Sequence, residues 1–443
     1  MMVAIGVRSM GRIGLAGLAL WLLGPTASGP AEVPLVATEA AQLGLSLEVS
    51  TGAFATSNTN FGAGSNGEAG HRWWEAYLKP GLAGSAALPG GGSLYGGWSG
   101  IWSSHGGDGA PGDSEAEGEY LAQEDLYAGW RSGTLFPGLG EDFFDLSFGQ
   151  QRFQLGDGFL IWDGTSDGGD HANFWLGPRK AFRRAAVARL NGKPWRGDLF
   201  WLESHTDTTE LAGLNLEYAH DALGTLGAAF LHAATAESPT RHGLRVYDLR
   251  GHGTPFAAWG LTRLTLRFEG VIERNDEAGG DLRAQAYYGE LAYELPLLWT
   301  PVLSYRYSHF SGDDPATTSS EDFDPLFYGF GRGWGTWYQG EIVGEYLLFN
   351  QNENVHMVHL KATPAESLTL GVLYFNFRLD EPPAGVSAQD FADEVNLYAD
   401  WQATDWLLLS GAAGIAVPDT VARQIYGDDQ NFRLVEIIAT VNF

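Results

Sequence analysis

Residues 394–402 read Glu394-Val395-Asn396-Leu397-Tyr398-Ala399-Asp400-Trp401-Gln402. In an extended chain Val395, Leu397, Ala399 and Trp401 share one side, and Glu394, Asn396, Tyr398, Asp400 and Gln402 share the other. A helix spaces apolar residues three and four apart and a strand spaces them two apart, so this is a strand with one apolar and one polar face. The pattern recurs. In 261–270, Thr262, Leu264, Leu266 and Phe268 oppose Arg263, Thr265, Arg267 and Glu269. In 286–294, Tyr287, Leu291 and Tyr293 oppose Tyr288, Glu290 and Glu294. In 302–308, Leu303, Tyr305 and Tyr307 oppose Ser304, Arg306 and Ser308, and in 213–218 Leu214, Leu216 and Tyr218 oppose Asn215 and Glu217.

A soluble sandwich also alternates, so the period alone does not decide the class. Two further features tilt the balance toward a membrane barrel. The polar faces carry charges, as a wet lumen requires, and the apolar faces carry aromatic residues near strand ends, as interfacial girdles do. Trp401 is soon followed by Trp406, and Tyr305 and Tyr307 follow Trp299. At the C-terminus Val435, Ile437, Ala439, Val441 and Phe443 alternate with Glu436, Ile438, Thr440 and Asn442. A last strand ending on an aromatic residue resembles the signal read by the barrel-insertion machinery of bacterial outer membranes.

Composition points the same way. Of 443 residues, 26 are Lys or Arg and 54 are Asp or Glu, a formal net charge of −28. That balance excludes a nucleic-acid binder, which needs a basic surface. Cysteine is absent, which excludes a disulfide scaffold, a thiolate metal site and a cysteine nucleophile. Charged residues are only 18%, aromatics reach 13% and Gly numbers 61, which suits a β protein rich in turns.

Residues 1–31 have the three parts of a secretory leader. Arg8 and Arg12 form a basic start, Ile13 to Leu23 an apolar run, and Ala27, Ser28, Gly29 and Ala31 a small-residue cleavage region. After it no segment offers the ~18 uninterrupted apolar residues of a transmembrane helix. There is no fixed-period repeat and no linker rich in Pro or Ser, so residues 32–443 are expected to form one domain.

Long Gly- and acid-rich connections are expected at 99–119, 163–173, 233–256, 273–284, 309–335 and 380–393. Short links such as Ala403-Thr404-Asp405 and Ala362-Thr363-Pro364 alternate with them. Long loops on one side and tight turns on the other is the outer-membrane pattern. The expected fold is all-β: a transmembrane antiparallel β-barrel of about 18 strands (16–18), following a cleaved signal peptide.

Several stretches resemble the alginate-export family of outer-membrane porins. They are Gly149-Gln150-Gln151-Arg152, Leu155 to Gly164, Trp175 to Arg183, Phe323 to Tyr328, Gly333 to Trp337, and Glu394 to Pro418 with Trp406 and Gly411. The resemblance runs from about Trp73 to Phe443 and is specific in combination, weak motif by motif. It implies a monomeric 18-strand barrel through which solutes or polysaccharide diffuse across a bacterial outer membrane, with no catalysis.

Lumen candidates follow from strand parity and from these motifs: Arg152, Arg179, Arg183, Arg189, Arg263, Arg267, Glu269, Glu290, Glu294, Arg306, Arg378 and Asp400. Between Arg179 and Arg196 stand seven bases and no acid, readable as a basic ladder on one lumen wall or as surface charge against lipopolysaccharide. Outer-membrane lipid, lipopolysaccharide and a small polar solute or polysaccharide are the expected partners. No cofactor is expected. Asp163, Asp167 and Asp170, near Asp157, could hold Ca²⁺ but match no EF-hand spacing. The run Asp108, Asp113, Glu115, Glu117 and Glu119 reads as an external acidic loop. Gly62-x-Gly64-x-x-Gly67 lacks the strand and helix of a dinucleotide site. His356 and His359 form the one close histidine pair, on a strand of open facing. Two alternatives stay open: a secreted β-rich glycan-processing enzyme, and a plugged barrel serving as scaffold or adhesin.

Overall fold

The computed structural model describes residues 33–65, 67–112, 118–164, 173–205, 208–276, 281–329, 332, 334 and 339–443. The expected leader therefore lies outside the described residues. So do Asp113, Glu115, Glu117, Asp167, Asp170, Gly333 and Gly335 to Trp337 of the sequence expectations.

The strands are β1 (Val33–Ala37), β2 (Ala41–Ser57), β3 (Gly70–Ala87), β4 (Ser93–Gly107), β5 (Gly118–Arg131), β6 (Phe144–Gln151), β7 (Phe182–Asn191), β8 (Trp195–Glu203), β9 (Glu210–His220) and β10 (Gly224–Thr235). They continue as β11 (Arg245–Gly253), β12 (Leu264–Arg274), β13 (Gln285–Glu294), β14 (Val302–Phe310), β15 (Glu353–Ala365), β16 (Leu368–Leu379), β17 (Asp390–Thr404), β18 (Leu407–Pro418) and β19 (Phe432–Asn442). A short helix α1 (Thr420–Tyr426) precedes β19. Each of β2 to β19 pairs antiparallel with its successor, and β19 pairs back onto β2 from Arg433↔Ser57 to Asn442↔Glu48, closing an 18-strand barrel. The β1 strand lies beside the start of β2, below the end of β19. Phe443 exchanges backbone hydrogen bonds with Leu47 and stacks on Trp406 at 5.7 Å, so the terminal aromatic seals the closing seam.

Burial is inverted relative to a soluble sheet. On β17 the apolar Val395, Leu397 and Trp401 face outward and are exposed, while Glu394, Asn396 and Tyr398 face inward and are buried. On β19 Ile437 is 65% exposed and Glu436 is 1% exposed. Water would not tolerate such an outer face over a whole barrel; hydrocarbon requires it. Aromatics rim the band at both ends: Trp74, Trp102, Tyr247, Tyr287 and Tyr374 toward one, Trp195, Tyr293, Trp299, Trp401 and Trp406 toward the other, all exposed.

Connections alternate in length as expected. One end carries 58–69, 108–117, 152–181, 275–284, 311–352, 380–389 and 419–431; the other carries turns such as 192–194, 221–223, 366–367 and 405–406. Several boundaries differ from expectation: β17 begins inside 380–393, the connections expected at 163–173 and 309–335 run over 152–181 and 311–352, and Ala362-Thr363-Pro364 is strand within β15. Residues 233–256 are not one loop, because β11 lies inside them. Glycines at 251 and 253 and charges at 248 and 250 mask its alternation of Val246, Asp248 and Arg250 inward against Tyr247 and Leu249 outward. Likewise 99–119 is strand as far as Gly107.

Leu397 sits in the middle of the exposed band. Leu397→Arg is expected to cost about 2–4 kcal/mol of folding free energy in phospholipid vesicles, since a guanidinium at midplane depth meets hydrocarbon. Urea titration of folding into vesicles measures it, and an unchanged midpoint would mean that this face does not meet lipid.

Candidate functional site

An 18-strand barrel is too wide for wall side chains to fill. Here the described residues of two connections fold into the interior, those of 152–181 after β6 and those of 311–352 after β14. Each carries apolar residues that pack on an apolar sector of the inner wall. Trp175, Leu176, Ile342 and Val343 join Phe54, Trp73, Met357, Leu373 and Phe375. Phe159, Ile161, Phe323 and Phe327 join Phe182, Phe200, Leu231 and Phe310. The two segments also touch each other through a parallel bridge at Ile161↔Phe327, with Trp162 N donating to Phe327 O at 2.7 Å and Phe327 N to Leu160 O at 2.9 Å.

Between these apolar seats the inner wall is ionic. Asp198 on β8 faces Arg189 (3.9 Å) and Arg196 (3.2 Å), and accepts from Asn215 Nδ2 at 2.8 Å. Arg250 on β11 reaches Glu217 at 2.8 Å and pairs with Asp248. Further round, Asp157 of the first in-folded segment accepts from Arg267 of β12 at 3.0 Å and lies 3.1 Å from Arg332 of the second segment. Arg332 also grips Glu290 of β13 in a two-point fork, at 2.8 and 3.0 Å. Such forks match the planar guanidinium to the carboxylate. Removing Arg332 would strand the buried Glu290 carboxylate, a loss on the order of 3–5 kcal/mol, while Asp157 would keep Arg267. Opposite, Lys79 of β3 lies 3.9 Å from Glu124 and 3.7 Å from Asp125.

The twelve expected lumen residues fall into separate places. Arg267, Glu269, Glu290, Arg306 and Asp400 lie on inward strand faces; Arg306 is fully buried and donates to Gln339 Oε1 at 2.7 Å, while Asp400 accepts from Trp334 Nε1 at 3.1 Å. Arg152 and Arg179 belong to the first in-folded segment, Arg152 over the Trp162 ring at 4.3 Å and Arg179 3.4 Å from Glu124. Arg263 and Glu294 pair at 3.5 Å on the short-turn rim, half exposed. Arg189 lies on the inward face of β7, whereas Arg183 stands at the strand start within a register shift, half exposed and 3.6 Å from Glu203.

Arg378 is a correction. It shares parity with Leu370, Val372 and Tyr374, which are exposed on the outer face, and pairs with Asp390 at 3.0 Å above the apolar band. Its strand is apolar on both faces, because Leu373, Phe375 and Phe377 face in against an in-folded segment. The bases from Arg179 to Arg196 likewise form no single ladder: Arg179 is buried, Arg184 is on the opposite face of β7 from Arg189, and Lys193 is in an exposed turn. His356 and His359 lie on opposite faces of β15, contacting Tyr305 and Tyr398 respectively, so they cannot share a metal. Asp157, weighed for Ca²⁺, faces two guanidiniums.

Sequence reasoning missed Glu75, Glu124, Asp198, Asp248, Arg250 and Arg332. Glu124 is invisible to a period of two: Ser99 pairs with Asp125 and Gly100 with Gln123, so Glu124 is the extra residue of a β-bulge. Asp248 and Arg250 did have a signal, the two-residue spacing Val246-x-Asp248-x-Arg250.

No family model matches the chain, and no curated protein matches it. Solved structures of similar architecture do exist. A BenF-like porin from Pseudomonas fluorescens Pf-5 superposes with a TM-score of 0.60 at 12% identity, over 90% of this chain and 98% of that one. Pseudomonas aeruginosa OccK2 (OpdF) in complex with glucuronate gives 0.59 at 14% identity, over 90% and 98%. Pseudomonas aeruginosa OprD gives 0.58 at 13%, over 90% and 95%. At these identities the likeness establishes the fold: the closed antiparallel barrel of outer-membrane porins. Alginate-export proteins are not among these matches.

Burial and the adjacent Arg152 guanidinium push the Lys180 ammonium, in the first in-folded segment, down to about 8. It is mostly charged at pH 7 and mostly neutral at pH 9. Reversal potentials in a salt gradient are therefore expected to shift toward cation selectivity over that range, and Lys180→Met to remove most of the shift.

Proposed function

We propose that this chain is a channel of the bacterial outer membrane through which small polar solutes diffuse passively, each barrel acting alone. The carrying observation is the inverted partition: an apolar outer band around an inner wall of paired charges that solvent still reaches. Arg189, Arg267 and Lys79 face inward with 27%, 29% and 20% of their side chains accessible. Charges held in a wet constriction sort solutes by sign and by hydrogen-bonding capacity, with no covalent step. The inward placement of 152–181 and 311–352 favours small solutes over a polymer. The same segments hold most of the motifs that resemble the alginate-export family, and a polysaccharide chain would have to thread past them. A secreted enzyme does not need the exposed apolar band.

The in-folded segments also give some support to a second reading, a plugged barrel used as scaffold. Planar bilayers decide between the two. Purified protein is expected to give discrete conductance steps that vary with salt concentration. A folded barrel that inserts and passes no current retires the channel in favour of the scaffold.

A further inference from the structure

A segment drawn into the lumen brings its own backbone N–H groups, and each one left unpaired there costs stability. The barrel wall answers with buried carboxylates. Glu75 of β3 is 0% exposed and accepts from Trp175 N at 2.8 Å and Leu176 N at 2.7 Å, with Trp73 Nε1 donating at 2.9 Å to the same side chain. The bulge residue Glu124 of β5, also 0% exposed, accepts from Lys180 N at 2.5 Å and Ala181 N at 2.9 Å. Both hold segment 152–181.

Segment 311–352 is held in the same manner. Glu394 of β17, 0% exposed, accepts from Ile342 N at 2.9 Å and Val343 N at 2.7 Å, and Asn396 Nδ2 steadies it at 2.8 Å. A Cβ on Gly340, whose φ is +95°, would stand 2.7 Å from the Glu394 carboxylate, so glycine there leaves the space that the grip needs. Glu273 of β12 accepts from Asp324 N at 2.9 Å, and Arg241 takes the Asp324 carboxylate in a two-point fork at 2.7 and 2.6 Å.

We infer that Glu75, Glu124, Glu273 and Glu394 are the positioning residues of the constriction: they fix its aperture by gripping the backbone of the two in-folded segments. The inference rests on the channel reading for its meaning, not for its test. These glutamates hold main chain, so the grip does not depend on which side chains the segments carry. Each segment has its own pair of glutamates, Glu75 and Glu124 for 152–181, Glu273 and Glu394 for 311–352. A bond from an amide to a charged acceptor is worth more than a neutral one, so losing two at once is expected to free a segment.

The test uses the full chain. It has no cysteine, so Ile342→Cys, at a position 0% exposed, introduces a single thiol. Its labelling by a membrane-impermeant maleimide is compared with and without Glu394→Gln, which keeps the shape but turns one acceptor oxygen into a donor. Leu176→Cys with and without Glu75→Gln reads the other segment. Barrel integrity is followed by the heat-dependent shift in gel migration. The expected result is at least about tenfold faster labelling in the glutamine variant, with single-channel conductance raised about twofold or more. Unchanged labelling in a folded barrel overturns the inference, whether or not the protein conducts. Absent currents with accelerated labelling leave the grip standing and reject the channel. Should the glutamine variants not fold, Glu394→Asp and Glu75→Asp retain the buried carboxyl and withdraw the oxygens by one methylene. They are read by the same labelling, with the same two outcomes.

Discussion

Inside hydrocarbon there is no water to pair with an idle N–H or C=O, so a sheet that spans it has to close on itself. That constraint governs this molecule. The pairing of β19 with β2 leaves no open edge in the ring, and the register of that seam places Val435, Ile437 and Val441 outward. Because side chains alternate strictly, fixing the outer face as apolar also fixes the inner face as everything else. The ionic wall of Asp198, Arg250, Glu290 and Arg306 is thus the complement of the lipid band.

Closure at this width creates a second requirement. The hole is larger than wall side chains can occupy, and two connections enter it. What they need from the wall differs by sector. Where a segment presents Trp175 or Ile342, the wall is apolar, as at Phe375 and Leu373. Where it presents bare backbone, the wall supplies glutamate. Where it presents a guanidinium, as at Arg332, the wall supplies Glu290. The interior is therefore a mosaic rather than a uniformly polar lining.

That mosaic explains which strands were legible. β12, β13, β14 and β17 keep an undiluted alternation, and their faces read correctly from sequence. β16 is apolar on both sides, so a lone Arg378 at its end suggested that its own face points inward, whereas Leu373, Phe375 and Phe377 take that face. β11 was lost to its glycines and to its paired charges Asp248 and Arg250. Glu124 was out of reach because a bulge adds a residue to one strand without any mark in the local pattern. Arg332 was out of reach because it belongs to a long connection whose path is decided elsewhere.

By itself the sequence pointed to the class, since a period of two with charges on one face and aromatic-edged apolar residues on the other suits a closed sheet in a membrane better than a soluble sandwich. It determined the near count of strands, the alternation of long and short connections, and the inward side of the well-patterned strands, because each of these is a local property of spacing. The tertiary structure alone decided the site: which connections turn inward, which wall sectors they cover, and which carboxylates meet backbone rather than guanidinium. Those are contacts between residues a hundred or more positions apart, such as Glu75 with Leu176 and Arg267 with Asp157. Spacing along the chain carries no record of them, because they arise only when the sheet has closed and left a space to fill.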